Sequence, residues 1–478
     1  MTRALREIPV PVLDAAQLAP LIGPARMRRF EAAAAAAREM LAGRVVFNVN
    51  STPHGGGVAE MLPTLLGYVR GAGIDARWLV IDGDPAFFAI TKRLHHGLYG
   101  APGDGGPLGR EERRRYDAVQ RRSAAELAAL VRPGDVVIVH DPQPAGLVAA
   151  AKRAGAAAVW RCHVGADVAN AWTERAWAFL APALADADAY VVSRRAFAPP
   201  WADPARVHVI PPSIDPFAVK NAPLPPRAVA DVLAYVGLLQ GPVRRRHVPF
   251  ARRDGSPGRI ARRVDVVQTG PPAPPDAPLV VQVSRWDRMK DMAGVMEGFA
   301  AHVDRALGAH LLLLGPAVTG VADDPEAAAV LRDCLDRWRQ LPHAARTRIH
   351  LACTPMRDPD EQATIVNAVQ RHAAVVVQKS LAEGFGLTVV EAMWKARPVV
   401  ASAVGGIRDQ IVDGEHGLLL DDPTDLAAFG AAVERLLRDR DAARRLGAAA
   451  RRRAADAFLA DRHLGRYAQL LDAVAQDA

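Results

Sequence analysis

Short buried strands alternate with loops and helices along most of the chain, and this alternation restricts the fold more than any other feature. Residues 44–50 (RVVFNVN) form an apolar run of strand length, followed by a glycine loop at 51–57 and helical periodicity over 58–70. Similar β-rich runs, separated by helical stretches, occur at 76–81, 135–140, 157–161, 189–193 and 207–210. Strands that alternate with helices in this way predict a parallel sheet covered by helices on both faces.

A second series of the same kind follows a break in the pattern. Its predicted strands are residues 279–284, 310–315, 349–352, 374–378 and 398–402, and residues 425–476 are helical. Between the two series, residues 240–276 are rich in arginine, proline and glycine and have no apolar period. A chain of 478 residues is also too long for one ordinary core. We therefore predict an α/β protein with two Rossmann-like domains that face each other across a cleft.

The boundaries follow from these changes in pattern. Residues 1–225 form the predicted first domain, 226–276 an interdomain region with the arginine-rich insertion, and 277–455 the second domain. Residues 456–478 are predicted as a C-terminal helix that returns to the first domain. The arginines of the insertion could bind a polyanion, but a solvated, partly mobile surface loop is the favoured interpretation.

The positive net charge of +8 has an unusual source, because 54 of the 60 basic residues are arginine. Together with the abundance of alanine, this indicates a compositional bias rather than a nucleic-acid-binding surface, and it is compatible with an anionic small substrate. Three widely spaced cysteines suggest neither a disulfide framework nor a zinc site. No signal peptide or membrane-spanning run is recognised, so we expect a cytoplasmic protein without a membrane partner.

Two cations follow the first strand of the second domain. Arg285 and Lys290 lie in a loop that turns towards the carboxyl edge of the predicted sheet, where open α/β sheets bind their ligands. Two fixed positive charges there would stabilise a departing diphosphate. The spacing R-x4-K alone carries little weight, because the chain contains many basic pairs.

Two acids flank a glycine loop later in the same domain, Glu383 before it and Glu391 within the following helix. The backbone N–H groups at the predicted helix start, those of Gly386, Leu387 and Thr388, could receive phosphate oxygens. Acids beside phosphates are suited to binding hydroxyl groups, so we expect Glu383 to reach a sugar and Glu391 a ribose. The alternative for Glu391 is a purely electrostatic role in the first helical turn. A glycine pair at 405–406 either shapes the same site or forms a simple turn.

The first domain carries a weaker set of candidates. Gly56 and Gly57 open a helix after a strand, although without the complete dinucleotide-binding pattern. Asp141 and His163 each follow a predicted strand and point to the same sheet edge. A lone histidine is more often structural than functional. A D-x-D triplet at residues 82–84 is expected by chance in this chain, so we predict no metal site.

These motifs together resemble the GT4 family of retaining glycosyltransferases, which have the GT-B fold. The R-x4-K and E-x7-E motifs carry this resemblance. Within that family the first domain is similar to the trehalose glycosyltransferring synthases, and the similarity runs from about residue 30 to the C-terminus. It is carried by residues 48–62 (NVNSTPHGGGVAEML), 76–100, 140–143 (HDPQ), 160–163 (WRCH) and 211–216 (PPSIDP).

The resemblance implies reversible transfer of glucose from a nucleoside-diphosphate glucose (NDP-glucose) to glucose, giving α,α-trehalose. Arg285 and Lys290 would hold the diphosphate, Glu383 the donor glucose and Glu391 the ribose. The remaining implied roles are phosphate binding by Gly56 and Gly57, sugar contacts by Asp141 and His163, and acceptor contacts by Lys92 and His95. The resemblance implies no tightly bound cofactor and no required metal, although a divalent ion could stimulate the reaction. A homodimer is compatible with it.

Some positions depart from the resemblance. The insertion at 240–276 is long, Arg288 stands where proline is usual, and Gly165 stands where an acid is expected two residues after His163. Alternatives therefore remain open. They are a retaining trehalose phosphorylase, a GT4 glucosyltransferase with another acceptor, a sugar-nucleotide epimerase of the same fold, and a non-catalytic sugar-nucleotide sensor.

Overall fold

The computed structural model describes residues 4–53, 56–243, 246–318 and 326–476. These divide into two compact α/β units, so the predicted fold class is confirmed. The first unit comprises the chain up to Ile214 together with the residues from Phe458 onwards. The second comprises the described residues from Asp215 to Ala457.

The first unit is built on a seven-stranded sheet whose strands are short and, in its middle, completely buried. The strands are β1 (Leu5–Ile8), β2 (Val45–Asn50), β3 (Asp75–Ile81), β4 (Val136–His140), β5 (Ala157–Cys162), β6 (Ala189–Val192) and β7 (Val207–Val209). They lie in the order β1-β3-β2-β4-β5-β6-β7, and all are parallel except β1, which is antiparallel to β3. The sequence did not predict β1, because four residues with two adjacent polar side chains, Arg6 and Glu7, show no clear alternation.

Helices cover both faces of this sheet. They are α1 (Ala19–Met40), α2 (Gly57–Gly71), α3 (Pro85–Leu98), α4 (Arg110–Leu130), α5 (Leu147–Arg153) and α6 (Ala171–Leu184). Because side chains alternate along a strand, β4 sends Val137 and Val139 to one core and Val136 and Ile138 to the other. The first of these cores lies against α3–α6, and the second also includes residues of α1.

The second unit repeats the same plan. Its main sheet has the order β10-β13-β12-β11-β14-β15-β16, with β10 antiparallel to β13 and the other strands parallel. The strands of the unit are β8 (Val248–Ala251), β9 (Pro257–Ile260), β10 (Asp265–Val267), β11 (Leu279–Val283), β12 (His310–Pro316), β13 (Ile349–Thr354), β14 (Val375–Gln378), β15 (Val399–Ser402) and β16 (Leu418–Leu420).

Nine helices of the described residues belong to this unit. They are α7 (Pro226–Val236), α8 (Met292–His302), α9 (Ala327–Gln340), α10 (His343–Arg346), α11 (Pro359–His372), α12 (Leu387–Trp394), α13 (Ile407–Gln410), α14 (Leu426–Arg438) and α15 (Arg440–Ala457). Leucine and valine side chains from β11–β14 pack under α8 and α9, with Trp286 and Phe299 fully buried among them.

The helix α16 (Ala460–Gln476) belongs to the first unit although it follows the whole of the second in the chain. It packs against α1, and Arg26 of α1 forms a nearly buried ion pair with Asp461, with Nη2 and Oδ1 2.8 Å apart. The chain leaves and re-enters the first unit at one place, where the Ile214 N–H donates to the carbonyl of Phe458 over 2.9 Å. Leu470 and Leu471 of α16 then complete the core under β2 and β4.

The arginine-rich segment 240–276 contains more regular structure than the solvated surface loop that was the favoured prediction. It contains the hairpin of β8 and β9 and the edge strand β10, so it is part of the second unit. Arg252 bridges Asp358 and Asp360 at the start of α11, at 2.6 and 2.9 Å. Arg262 pairs with the buried Glu361 at 2.6 Å. These arginines neutralise acids of the same unit. Arg244 and Arg245 lie outside the described residues.

Two further observations bear on the class of protein. All three cysteines are free thiols, and burial raises the pKa of Cys353 to about 11. Within the described residues, no helix is both long and apolar enough to span a membrane.

Candidate active site

The strand order fixes where a ligand would bind in the second unit. The order of the sheet reverses between β11 and β14, because β12 and β13 lie on one side of β11 and β14–β16 on the other. Ligands of open α/β sheets bind at the carboxyl ends of the strands beside such a reversal. The loop after β11 carries Arg285 and Lys290, and the loop after β14 carries Glu383. The structure therefore brings these two sequence motifs to one place.

Lys290 and Glu383 are in direct contact. The Lys290 Nζ atom donates to Glu383 Oε2 over 2.6 Å, and the two side chains are only 15% and 8% exposed. The Ser380 hydroxyl donates to the same carboxylate oxygen at 3.3 Å. The two loops are also joined by their main chains, since the Leu381 N–H donates to the Met289 carbonyl over 2.8 Å. This geometry holds one cation and one acid next to each other at the edge of the sheet.

Arg285 is held separately. Its Nη2 lies 3.2 Å from Oδ2 of Asp287, a buried acid whose other oxygen accepts the backbone N–H of Met289 at 2.9 Å. Asp287 thereby caps the short 3₁₀ turn Arg288–Lys290. The same acid thus orients Arg285 and starts the turn that ends at Lys290.

The glycine loop has the conformation that its sequence predicts. Gly386 has φ of +89°, which favours glycine, and it is the N-cap residue of α12. The first turn of a helix leaves N–H groups without an intrahelical acceptor, and here these belong to Leu387 and Thr388. The Thr388 hydroxyl donates to Gln378 Oε1 over 3.0 Å, which ties the start of α12 to the end of β14. The helix start therefore lies beside Glu383, where an anion would meet its positive end.

The glycine pair at 405–406 packs directly against this loop, which supports the reading that it shapes the site. A Cβ atom on Gly405, whose φ is +50°, would lie 1.6 Å from the carbonyl oxygen of Glu383. A Cβ on Gly406 would lie 2.6 Å from the Cα of Phe385. The backbone at Glu383 can take its position only because neither neighbour has a side chain.

Glu391 lies on α12 and is buried among residues that the sequence did not single out. Its Oε1 is 3.5 Å from the Nζ of Lys220, and its side chain is 5% exposed. One turn further on, the buried Lys395 donates to Gln370 Oε1 at 2.7 Å, to Asn221 Oδ1 at 3.0 Å and to the Glu391 carbonyl at 3.2 Å. Burial lowers the pKa of Lys395 to about 7, opposed by the charge of Glu391. The only feature of the sequence that could have drawn attention to Lys220 and Lys395 is the rarity of lysine in this chain.

The first unit has a similar reversal between β2 and β4. Asp141 follows β4 and has φ of +64°, a strained conformation for a residue other than glycine. Its Oδ1 accepts the backbone N–H of His163, which follows β5, over 2.7 Å. Burial raises the pKa of Asp141 to about 7, against the effects of that hydrogen bond and of the Arg161 charge. The two predicted residues are thus joined at the carboxyl edge of the sheet.

Two residues of the adjacent strands complete this cluster. The His163 ring stacks on that of His140, with Nε2 and Nδ1 3.1 Å apart, and His140 Nε2 lies 3.0 Å from Oδ1 of Asn48. Arg161 of β5 is fully buried, and the described residues provide no hydrogen-bond partner for its Nε and Nη1 atoms. No local pattern in the sequence indicated roles for Asn48 and His140, although both lie in segments that carry the family resemblance.

The remaining candidates of the first unit lie on helices. Gly56, with φ of +86°, is the N-cap residue of α2 and Gly57 is its first residue, so both follow the carboxyl end of β2. His54 and Gly55 lie outside the described residues. Lys92 and His95 lie on α3, where the His95 ring packs edge-on against Tyr99 at 5.0 Å. They are not at the strand ends that carry Asp141 and His163.

Gly165, where an acid was expected, has a structural explanation. A Cβ atom there would lie 2.2 Å from the ring of Phe197, which is almost completely buried. The aromatic ring fills the space that a side chain at this position would need. Asp167, two residues later, instead forms an ion pair with Arg194.

Comparison with known proteins agrees with this architecture. Residues 48–199 match the family described as "Trehalose synthase, N-terminal domain", and residues 269–453 match "Glycosyl transferases group 1". The solved structure of the E. coli trehalose-6-phosphate protein bound with UDP-2-fluoro-glucose is similar in fold, with a TM-score of 0.63 and 14% identity. The structural alignment covers 90% of this chain and 99% of the E. coli protein. The fold and the family matches define a glycosyltransferase of the GT-B class.

Relatives at higher identity specify the family. The trehalose synthase of Pyrococcus horikoshii is 33% identical over 441 residues, which are 91% of each protein. That of Rubrobacter xylanophilus is 35% identical over 422 residues, 85% of this chain and 86% of the relative. The chain belongs to the trehalose synthase family. It is therefore a hexosyltransferase of trehalose metabolism.

Proposed function

We propose that this protein transfers glucose from an NDP-glucose to free glucose, with retention at the anomeric carbon, and so forms α,α-trehalose reversibly. The observation that carries the proposal is the contact between Lys290 and Glu383 beside the start of α12. A cation and a hydroxyl-binding acid next to a helix N-terminus suit a ligand that combines a diphosphate with a sugar. The E. coli protein of similar fold is bound with a ligand of this kind.

Each part of the donor has a residue of matching chemistry. Arg285, Lys290 and the N–H groups of Gly386, Leu387 and Thr388 would receive the diphosphate. The carboxylate of Glu383 would accept hydrogen bonds from hydroxyl groups of the transferred glucose. Glu391, held one turn further into the helix, would accept the ribose hydroxyls. Lys220 lies 3.5 Å from Glu391, where its positive charge can orient the carboxylate.

The acceptor side belongs to the first unit. Asp141 and His163 lie at the carboxyl edge of its sheet, where they would contact the sugars, and Gly56 and Gly57 at the start of α2 would bind the phosphates. Lys92 and His95 are further acceptor-side candidates on α3. Burial holds the pKa of His163, and that of the adjacent His140, below the ordinary value, so both rings are neutral at physiological pH and suit the binding of uncharged hydroxyl groups.

The proposed mechanism is a front-face displacement that needs no carboxylate nucleophile. The bond between the anomeric carbon and the diphosphate oxygen breaks, and the acceptor hydroxyl oxygen forms its new bond on the same face. The hydroxyl proton passes to the departing diphosphate oxygen, so atoms and charge balance. Arg285 and Lys290 stabilise the charge that grows on the diphosphate, and the protein contributes chiefly orientation and electrostatics.

The test is product analysis by NMR with ¹³C-labelled glucose as acceptor and UDP-, ADP- and GDP-glucose as donors. We expect an α,α-1,1-linked disaccharide and one equivalent of nucleoside diphosphate with at least one donor, and retained activity in excess EDTA. A parallel reaction contains trehalose and inorganic phosphate without nucleotide. Glucose 1-phosphate in that reaction, together with no product from any NDP-glucose, would overturn the proposal in favour of a phosphorylase.

A further inference from the structure

A chain of hydrogen bonds links three polar side chains across adjacent strands of the first unit. It runs from Asn48 on β2 through His140 on β4 to His163, which follows β5, with distances of 3.0 and 3.1 Å. The rings of His140 and His163 are stacked, with centroids 5.4 Å apart and planes inclined by 15°. Asn48 and His140 are 4% and 3% exposed, so neither is placed to meet a substrate directly.

The imidazole rings of His140 and His163 are both neutral. Burial and the positive charge of Arg161 lower the pKa of His140 to about 3. The same two causes, together with the His140 ring, hold the pKa of His163 well below its ordinary value. A neutral imidazole has one nitrogen that donates a hydrogen bond and one that accepts, and its neighbours decide which is which.

The hydrogen bonds assign the protons in order. The Asn48 carboxamide oxygen can only accept, so the proton of His140 lies on Nε2. The Nδ1 atom of His140 must then accept, and the proton of His163 lies on Nε2. This leaves the Nδ1 atom of His163 with a lone pair. Among the described residues, the bond to His140 is the only hydrogen bond that the His163 ring makes.

We propose that His140 is a positioning residue that holds His163 in its Nε2–H tautomer, so that Nδ1 accepts a hydrogen bond from a hydroxyl group of the transferred sugar. The carboxamide oxygen of Asn48 fixes which nitrogen donates and which accepts in each of these hydrogen bonds. The backbone of His163 is fixed independently, because its N–H donates to Asp141 over 2.7 Å. The sugar contact rests on the proposed function, whereas the tautomer assignment does not.

The tautomer can be measured directly. Protein labelled with ¹⁵N in its histidines is examined by two-bond ¹H–¹⁵N correlation at pH 7.5, and the His163 signals are identified by their loss in His163→Gln. We expect the pattern of a neutral ring with its proton on Nε2. A proton on Nδ1 would overturn the assignment, and this holds whatever substrate the enzyme uses.

The positioning role is tested by replacing His140 while leaving His163 intact. His140→Phe keeps a stacked ring without hydrogen bonds, and it should give a mixture of His163 tautomers. It should also weaken binding of the NDP-glucose donor by the factor by which the Nε2–H fraction falls, about twofold for an even mixture, with unchanged affinity for the bare nucleoside diphosphate. His140→Gln, whose amide oxygen can still accept, should restore both properties.

Asn48→Leu provides a second variant should His140→Phe not fold, and it should also mix the His163 tautomers. Donor affinity that is unchanged while the tautomers mix would overturn the sugar contact and leave the tautomer assignment standing. Equal weakening of the sugar nucleotide and of the bare nucleoside diphosphate would also overturn it, because that result indicates a general structural defect. Absence of any donor binding by the wild-type enzyme would instead refute the proposed function.

Discussion

Replacing Lys290 by methionine should slow glucosyl transfer far more than it destabilises the protein. The substitution keeps most of the side-chain volume and removes a cation that lies 2.6 Å from Glu383. It has two effects, because it removes a positive charge from the departing diphosphate and leaves a carboxylate of 8% exposure without its ion pair. The two effects have different magnitudes and can be separated.

The loss of one preorganised charge at the leaving group raises the barrier by about 2–4 kcal/mol. At a factor of ten for each 1.36 kcal/mol, this lowers kcat about 30- to 900-fold. Breaking a fully buried ion pair would cost about 3–5 kcal/mol of stability. Here the cost should be about 1–3 kcal/mol, because Ser380 still donates to Glu383 at 3.3 Å and solvent reaches both side chains.

The double variant Lys290→Met/Glu383→Gln separates the two effects. The amide is neutral and similar in shape, so the double variant should recover most of the lost melting temperature but none of the lost rate. Lys152→Met is a matched control, since Lys152 also forms an ion pair, with Asp188 at 2.7 Å, but belongs to α5 and not to the proposed donor site. It should leave initial rates at saturating donor unchanged. Turnover of Lys290→Met within about threefold of wild type, or recovery of the rate in the double variant, would refute this reasoning.

Three further results are expected. Gly405→Ala should abolish most activity by displacing the donor-site loop, whereas Gly414→Ala, which also has positive φ but meets no atom within 4 Å, should cost only about 1–2 kcal/mol of stability. Asp141→Asn should raise the melting temperature more at pH 8 than at pH 5. The raised pKa of Asp141 means that the folded state binds more protons between about pH 4 and 7, so the wild type loses about 4 kcal/mol of stability as pH rises through that window. Arg262→Ala should lower thermal stability by about 1–2 kcal/mol, since a buried acid loses its partner, whereas Arg263→Ala, on the exposed surface, should change it little.

The sequence predicted the parts of this fold whose signal is local. The central strands of both sheets are continuous apolar runs, and all eleven predicted runs are strands in the structure. Glu383, Gly386 and Lys290 could be placed together because parallel strands bring their following loops to one edge. Strands β1, β8, β9, β10 and β16 were missed, since each has only three or four residues and is too short to show a periodic pattern.

Other parts of the site depend on contacts between distant segments. Lys220 approaches Glu391 from 171 positions away in the chain, and no local pattern indicates that contact. The arginine-rich segment was interpreted as a solvated loop because composition does not show which acids its side chains will meet. Arg262 meets Glu361 of α11, and that ion pair exists only once the unit has folded.

The position of α16 has a consequence for how the protein is made. The first unit is interrupted after Ile214 and resumes at Phe458, so its covering helix is translated about 240 residues after its sheet. At 5–20 residues per second, the apolar faces of β2 and β4 wait on the order of ten seconds or more for Leu470 and Leu471. During that interval the exposed apolar faces of β2 and β4 on the nascent chain are a surface to which chaperones can bind. A premature stop codon just before α16 should therefore be read out as misfolding of the amino-terminal half, although every codon of that half is intact.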